Sequence, residues 1–185
     1  MSWVLFYSFW FYPLAGSILL YAAKVLEPQH RPVEMLWLLP AGLLIWTLIE
    51  YCMHRFLFHW KIRNRKLKNL LWHLHIGHHA EPRDPEQILV PPSMSIPISG
   101  VLLGGLYLVL GSLFWAIGVI VGTWIGFLYY ESVHYRLHRS AAEEGLLHYQ
   151  RRRHFYHHFV DGETCFGVTS PLWDFVFGTF ARLPD

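Results

Sequence analysis

Residues 113–138 read LFWAIGVIVGTWIGFLYYESVHYRLH, a long apolar run that ends in polar and basic residues. Its first 18 residues carry no charged side chain, and roughly 20 mostly apolar residues suffice for a helix to cross a bilayer. The end of the stretch carries His134 and His138, which share one face of a helix because they are four positions apart. The pattern predicts a membrane-spanning helix that ends in a pair of imidazoles.

The composition of the whole chain is typical of a membrane protein. Of its 185 residues, 54% are hydrophobic and only 15% are charged, which is apolar for a soluble domain of this size. The formal net charge is only +2 with neutral histidine, and the basic residues occur in loops beside apolar segments. We therefore expect a lipid environment and no nucleic-acid partner.

Three further apolar stretches approach the length of a span. The turns at 27–32 and 111–112 are too short for anything but antiparallel hairpins. We therefore predict an all-α integral membrane fold in a single domain, 1–185, with two transmembrane hairpins and a cytoplasmic, histidine-rich helical cap. The predicted spans are 3–26, 33–58, 95–111 and 113–137, and the predicted cap consists of 59–94 and 138–185.

The basic residues predict the orientation of the chain. Most lysines and arginines fall in the two cap segments, whereas the predicted outer turns hold only Lys24 and Arg31. Because cytoplasmic loops carry an excess of basic residues, the cap and its active site are expected on the cytoplasmic side of a multi-pass protein. A bacterial inner membrane and the endoplasmic reticulum both fit this pattern.

The chain contains 13 histidines, and most of them are clustered. Ten lie at or just beyond the predicted cytoplasmic ends of helices, whereas His30 and His148 stand alone and are expected at surface or capping positions. The clusters are His54 with His59, then His75 with His78 and His79, then His134 with His138, then His154 with His157 and His158.

The spacing within each cluster predicts a shared direction. Positions three and four apart lie on one helix face, so the clusters at 75–79 and 154–158 are each expected to present three imidazoles in one direction. His54 and His59 are five apart, or about 140° around an ideal helix. Both reach one site only if the helix ends or loosens there, which we expect near Phe58.

Ten neighbouring imidazoles point to a metal site. Protonated rings would repel one another and resist burial, whereas metal binding takes the neutral form. Since one ion takes four to six ligands, ten imidazoles predict two ions with about five nitrogens each. Cys52 and Cys165 form no Cys-x-x-Cys pair, so an iron–sulfur or cysteine-bound zinc site is not expected, while iron, zinc, copper and nickel all remain compatible with imidazole.

Three more residues are candidate partners of the ligands. Glu50 precedes His54 by one helical turn, and Glu131 precedes His134 by three residues. Either carboxylate is placed to accept the remaining imidazole N–H and so fix the tautomer of a ligand. His73 lies two positions before His75, off its helical face, and is expected to support the site from outside the ligand set.

The four histidine clusters resemble, in order, the boxes of the fatty acid hydroxylase superfamily. The three-residue gap between His134 and His138 is similar to that of the enzymes acting on acyl chains. The flanking stretches 84–92 and 167–174 resemble those of the fatty acid and sphingolipid 2-hydroxylases.

This resemblance implies a site with two iron ions, which zinc replaces in some purified preparations. It also implies that O2 and two electrons are used to hydroxylate C2 of the acyl chain of a membrane lipid. Since the chain starts with a predicted span, a separate electron donor such as cytochrome b5 or a ferredoxin is expected.

Other functions also fit parts of the pattern. A hydroxylase or desaturase of the same superfamily acting on a sterol, a carotenoid or another acyl position would use the same boxes. A metal transporter would place its ligands near the bilayer midplane, and a haem protein with two axial histidines would need them to face each other within the spans. The crowding of the histidines at one end of the predicted helices favours the oxygenase.

Overall fold

The computed structural model of the protein describes residues 3–59, 64–65, 69, 71–141 and 143–183, without the side chains at positions 5, 73, 74, 85 and 86. All regular structure in these residues is helical, which confirms the predicted fold class. The helices are α1 (Trp3–Leu26), α2 (Met35–Cys52), α3 (Gly77–Ala80), α4 (Pro85–Ile88), α5 (Pro92–Leu110), α6 (Leu113–Arg139), α7 (Gly145–Phe159) and α8 (Leu172–Val176).

Three short turns supplement the α-helices. A 3₁₀ turn at Pro32–Glu34 leads into α2, whereas π-helical turns at Met53–Phe58 and Trp72–Ile76 follow α2 and precede α3. Both π-helical turns carry histidines, and such turns often mark functional sites because they change the direction of side chains locally.

Among the described residues, four helices are long and apolar enough to cross a membrane, so the chain is a membrane protein. The segments are Phe6–Leu26, Pro32–Phe58, Pro92–Leu110 and Leu113–Arg139. Proline begins α5, where its missing N–H and fixed φ do no harm. Gly111 ends α5 with a φ of 65°, a conformation that glycine adopts without strain.

The chain forms two compact units, and the boundary between them falls within α2 and within α6. The first unit comprises Met1–Trp46 and Val90–Leu128, and the second comprises Thr47–Leu89 and Tyr129–Asp185. The first therefore contains most of the apolar helical surface, and the second contains all four histidine clusters.

Helix α6 is the centre of the first unit. In α6, 67% of the most apolar 18 residues are buried, whereas almost all of the corresponding residues of α5 are exposed or partly buried. A side-chain carbon at Gly42 would lie 2.1 Å from the carbonyl oxygen of Val119, and one at Gly122 would lie 2.2 Å from that of Leu39. Only glycine fits at these two positions, because the backbones of α2 and α6 touch there.

A polar cluster joins the turns at 27–32 and 111–112 in the same unit. Glu27 accepts hydrogen bonds from the Ser112 hydroxyl at 2.6 Å and from the backbone N–H of Leu113 at 2.8 Å. It thus binds the first turn of α6, where backbone N–H groups lack helical partners. His30 lies 3.3 Å from Glu27 and 3.2 Å from Glu34.

The second unit is built around α7 and the loop that follows it. Arg153 of α7 pairs with Asp174 of α8 at 3.4 Å, and both side chains are almost completely buried. Residues 164–170, here called the carbonyl loop, run between the two helices and contain Cys165 at a φ of 57°. A non-glycine residue in this region of φ is uncommon and signals a loop held firmly by its surroundings.

Candidate metal centre

All ten clustered histidines lie in the second unit, where they form two groups of five. Within each group, one ring nitrogen from every residue lies within 4.8 Å of those of the other four. The first group is His54, His59, His75, His79 and His157, and the second group is His78, His134, His138, His154 and His158.

A π-helical turn explains how the first cluster reaches one site. The backbone N–H of His59 donates to the carbonyl oxygen of His54 at 3.3 Å, a bond across five residues. In an α-helix these residues would point about 140° apart, but a turn closed across five residues stacks them on one side. The structure thus has the loosened turn that the five-residue spacing requires.

The two clusters of three divide between the groups, which differs from the single direction expected from spacing. His75 and His79 enter the first group, whereas His78 enters the second. Likewise His154 and His158 enter the second group, and His157 enters the first. Successive helical residues point about 100° apart, so a pair four apart serves one group while its neighbour in sequence serves the other.

Two imidazoles of the first group have fixed tautomers. His54 Nδ1 lies 2.6 Å from the carbonyl oxygen of Phe166, and His157 Nδ1 lies 2.7 Å from that of Thr164. A carbonyl oxygen only accepts, so each Nδ1 carries the proton and donates it. The Nε2 atoms of both rings are therefore left as lone-pair donors within the group.

Nitrogen atoms also converge in the second group. His134 Nε2 lies 3.0 Å from His78 Nε2 and 3.2 Å from His154 Nε2, which in turn lies 2.7 Å from His138 Nε2. A ring nitrogen offers either one N–H or one lone pair, so these three contacts cannot all be hydrogen bonds. Lone pairs aimed at one point are the arrangement that a cation requires.

Burial keeps these rings neutral. Desolvation, followed by the positive charge of neighbouring imidazoles, lowers the pKa of His59 to about 4 and that of His79 to about 3 from the usual 6.5. The same causes hold the pKa of His75, His78 and His158 well below the usual value. At neutral pH these rings are therefore uncharged and able to bind metal.

Aromatic side chains surround the imidazoles. The Phe58 ring stacks on His75 with centroids 5.0 Å apart, and the Tyr130 ring stacks on His134 at 5.2 Å. Phe166 is almost completely buried and contacts His54 edge-on at 5.5 Å. These rings shield the nitrogen atoms from water.

Glu50 supports the site by a different route from the one its sequence position suggests. Its carboxylate accepts the backbone N–H groups of Val168 at 2.7 Å and Thr169 at 2.8 Å, together with the Thr169 hydroxyl. It binds the carbonyl loop rather than an imidazole, because the Nδ1–H of His54 donates to Phe166 instead. The carbonyl loop therefore lies between the Glu50 carboxylate and the His54 imidazole.

The other predicted supporting residues stay predictions. Glu131 is fully buried in α6, three residues before His134. The side chain of His73 lies outside the described residues. His30 and His148 belong to neither group, and His30 instead binds the carboxylates of the outer turns.

The spacing of the histidines gives no sign of the carbonyl loop. Its carbonyl groups reach His54 and His157 from residues 112 and seven positions away, respectively. Hydrogen bonds made by backbone atoms cannot be predicted from residue identity. The glycine at position 167, however, is a visible signal of the loop. A side-chain carbon there would lie 2.0 Å from the carbonyl oxygen of Ser170, so glycine is required for the tight turn.

Comparison with known proteins places the chain in a family. The family model described as fatty acid hydroxylase matches residues 39–179. A dihydroceramide fatty acyl 2-hydroxylase of Arabidopsis thaliana is 36% identical over 75% of this chain and 58% of its own length. The fatty acid 2-hydroxylase of Macaca fascicularis is 34% identical over 75% of this chain and 38% of its own length. The chain thus spans only about half the length of such relatives.

A solved structure agrees with these sequences. It is described as full-length Scs7p with only the hydroxylase domain visible, and it superposes with a TM-score of 0.81 at 30% identity, over 94% of this chain and 66% of the other. A ceramide very long chain fatty acid hydroxylase of Saccharomyces cerevisiae is also 30% identical, over 94% of this chain. The resemblance drawn from the histidine boxes is confirmed, and the chain belongs to the fatty acid hydroxylase family.

Proposed function

We propose that this chain is an oxygenase that hydroxylates C2 of a lipid acyl chain at a histidine-bound centre of two iron ions. The observation that carries the proposal is the convergence of ten imidazoles in two groups of five, with donor nitrogens within 4.8 Å of one another. Two of the relatives are named as 2-hydroxylases, of dihydroceramide fatty acyl chains and of fatty acids, and a third as a ceramide very long chain fatty acid hydroxylase, which supports the reaction and the substrate class.

The donor set fits such ions. The two groups contain neutral imidazole nitrogen and no thiolate, and imidazole binds iron and zinc alike. Buried His54 Nε2 and both ring nitrogens of His158 have no hydrogen-bond partner among the residues that the structure describes. Buried polar atoms are rarely left unpaired, so these nitrogens support occupation of each group by one ion.

The reaction sets the division of labour between cofactor and protein. One oxygen atom of O2 enters the C–H bond at C2, and the other is reduced to water with two electrons and two protons from an external donor. The iron ions supply the activation of O2, which no amino-acid side chain provides. The protein supplies positioning of the acyl chain and exclusion of water.

Particular residues carry out the protein's share. His54 and His157 hold their protons on Nδ1 by donating to backbone carbonyl groups, which keeps Nε2 directed into the first group. Phe58, Tyr130 and Phe166 cover the imidazoles with apolar rings. This apolar surface excludes water, which would divert the oxidant from the substrate.

The membrane arrangement is part of the proposal. The substrate is a membrane lipid, and the four apolar helices give the chain access to it. The histidine groups face the cytoplasm in this proposal, because Arg136 and Arg139 lie in the last turn of the last span and Arg151 and Arg152 follow it. A basic cytoplasmic surface also suits an acidic electron donor such as cytochrome b5 or a ferredoxin.

Expression in a host that lacks 2-hydroxy fatty acids tests the reaction. Total lipids are hydrolysed and screened for 2-hydroxy acids, and the purified chain is analysed for metal. Wild-type protein should produce 2-hydroxy acids and contain two iron or zinc ions per chain. The variant His78→Ala should produce none and contain fewer ions, because the second group loses a ligand.

A matched control separates ligand loss from general damage. His148→Ala removes a histidine of α7 that belongs to neither group, and it should retain product and metal. Hydroxylation at another carbon would redirect the proposal to a different lipid oxygenase. Equal product from wild type and His78→Ala would refute the catalytic role of the histidines.

A further inference from the structure

A single peptide group links a buried carboxylate to an imidazole of the first group. The carbonyl oxygen of the peptide between Phe166 and Gly167 accepts the Nδ1–H of His54 at 2.6 Å. The N–H of the same peptide donates to Asp174 Oδ2 at 3.0 Å. Carboxylate, peptide and imidazole thus form a continuous chain of hydrogen bonds.

Asp174 is held firmly in place to do this. Its side chain is fully buried, and Oδ1 accepts the N–H of Phe166 at 2.9 Å and the Thr179 hydroxyl at 2.8 Å. Arg153 lies 3.4 Å from Oδ2 and balances the negative charge. These four partners of the carboxylate are all donors, which suits an ionised group that only accepts.

The neighbouring peptides are bound in the same manner by Glu50. Its Oε1 accepts the next two backbone N–H groups, from Val168 and Thr169. Two carboxylates therefore hold four consecutive N–H groups, 166–169, and fix the plane of the peptide that His54 contacts.

We propose that Asp174, with Glu50 as a second anchor, is a positioning residue for the metal bound by the first histidine group. The anion on the N–H side of the peptide polarises its carbonyl group, which makes that oxygen a stronger acceptor for His54. The stronger bond fixes the ring and makes Nε2 a better ligand, as a carboxylate does when it contacts a metal-bound imidazole directly. The inference rests on the proposed metal centre.

The test measures metal affinity in the full chain, purified in detergent and loaded with Co2+. A competing chelator withdraws the cobalt while the absorption bands of the bound ion are recorded. In wild-type protein two equivalents are withdrawn. In Asp174→Asn, whose amide group faces N–H donors, one equivalent should be lost at roughly 10- to 100-fold lower chelator concentration, with altered bands, while the other is unchanged.

Arg153 supplies the matched variants. Asp174→Asn alone leaves a buried cation unpaired, which destabilises the fold, so the double variant Asp174→Asn with Arg153→Met is measured beside it. Arg153→Met alone keeps every bond from Asp174 to the loop, and it should retain wild-type cobalt affinity even though its unfolding temperature falls. A structural role alone would make all three variants behave alike.

Substitution of Glu50 provides an independent test of the positioning role. Glu50→Ala removes the acceptor of two backbone N–H groups and should weaken the same equivalent. Glu50→Gln keeps one acceptor oxygen, and Thr169 can reverse its hydroxyl, so this variant should recover most of the affinity.

The outcomes separate this inference from the proposed function. Unchanged withdrawal of both equivalents in the Asp174 double variant, or equal weakening of both, overturns the positioning role. Wild-type protein that binds no cobalt overturns the metal centre itself.

Discussion

The two units of the molecule are stabilised by opposite means. In the first unit, the glycines at positions 42 and 122 have no side chain, so the backbones of α2 and α6 are in contact there. In the second, Glu50 and Asp174 bring buried carboxylates to backbone N–H groups, beside two groups of five imidazoles. The apolar unit depends on close van der Waals contact, whereas the histidine unit depends on hydrogen bonds between buried carboxylates and backbone.

This difference follows from what each unit must do. Within a bilayer there is little hydrophobic gain when helices associate, so small residues that allow close approach drive packing. A metal centre needs neutral donors in fixed directions, and buried hydrogen bonds supply that direction. Substitutions that change side-chain volume should therefore destabilise the first unit most. Changes in the protonation of imidazoles should destabilise the second unit most.

The largest effect is expected from Gly122→Ala. Its Cβ would lie 2.2 Å from the carbonyl oxygen of Leu39, so backbone must move. Overpacking of this kind typically costs about 1–3 kcal/mol and occasionally more. The unfolding temperature in detergent should fall markedly, as measured by circular dichroism.

Gly104→Ala is the control for that substitution. It lies in α5 with open space around the position, and alanine favours the helix. Its stability should equal or exceed that of the wild type. If both alanine variants behaved alike, close backbone contact would not be what holds α2 against α6.

Acid should act chiefly on the second unit. The pKa of His59 is lowered to about 4 and that of His79 to about 3, from 6.5 in the unfolded chain. The unfolded state therefore binds more protons between these values, and folding stability must fall as pH drops from about 6.5 towards 4. Thermal unfolding of chelator-treated protein at pH 7, 5.5 and 4.5 measures the trend.

The variant His59→Ala with His79→Ala tests the assignment of that acid effect. It lacks two of the groups that resist protonation, so its stability should depend less steeply on pH over the same range. A stability that stays flat down to pH 4.5 in wild-type protein would contradict burial of neutral imidazole.

The smallest effect is expected from Glu27→Ala in the outer turn of the first unit. The hydrogen bonds from Ser112 and Leu113 lower the pKa of Glu27, so the carboxylate is ionised at neutral pH and binds the first turn of α6. Its removal should lower the unfolding temperature slightly and leave the metal content unchanged. The unfolding temperature of Glu27→Gln, which keeps an acceptor oxygen, should lie between those of the wild type and Glu27→Ala. Loss of metal in either variant would contradict the difference drawn between the two units.

Much of the fold was predictable because a membrane-spanning helix requires a long run of apolar residues, which is visible in the sequence. The apolar run before His134 predicted α6 and its polar end, and the turn at Gly111 predicted the second hairpin. The start of α5 at Pro92 rather than at position 95 shows the limit of hydropathy. The polar residues there give no apolar signal, yet Pro92 is a favourable first residue for a helix.

The sequence predicted ten histidine ligands for two ions, but not which histidines share a group. Their number indicated two ions, because one ion takes four to six ligands. Spacing of three or four residues makes the three rings at 75–79 look equivalent. Only the side-chain directions in the folded structure show that His78 belongs to a different group from His75 and His79. The contact of Glu50 with Val168 joins residues 118 positions apart, which local patterns cannot reveal.

The sequence by itself determined the membrane helices, the supply of imidazoles and the family, because each depends on residue identity and short-range spacing. Tertiary structure alone decided which imidazoles share a group and how their tautomers are fixed. The reason is that His54 receives its direction from a backbone carbonyl, and that carbonyl from Asp174, through atoms brought together only by folding.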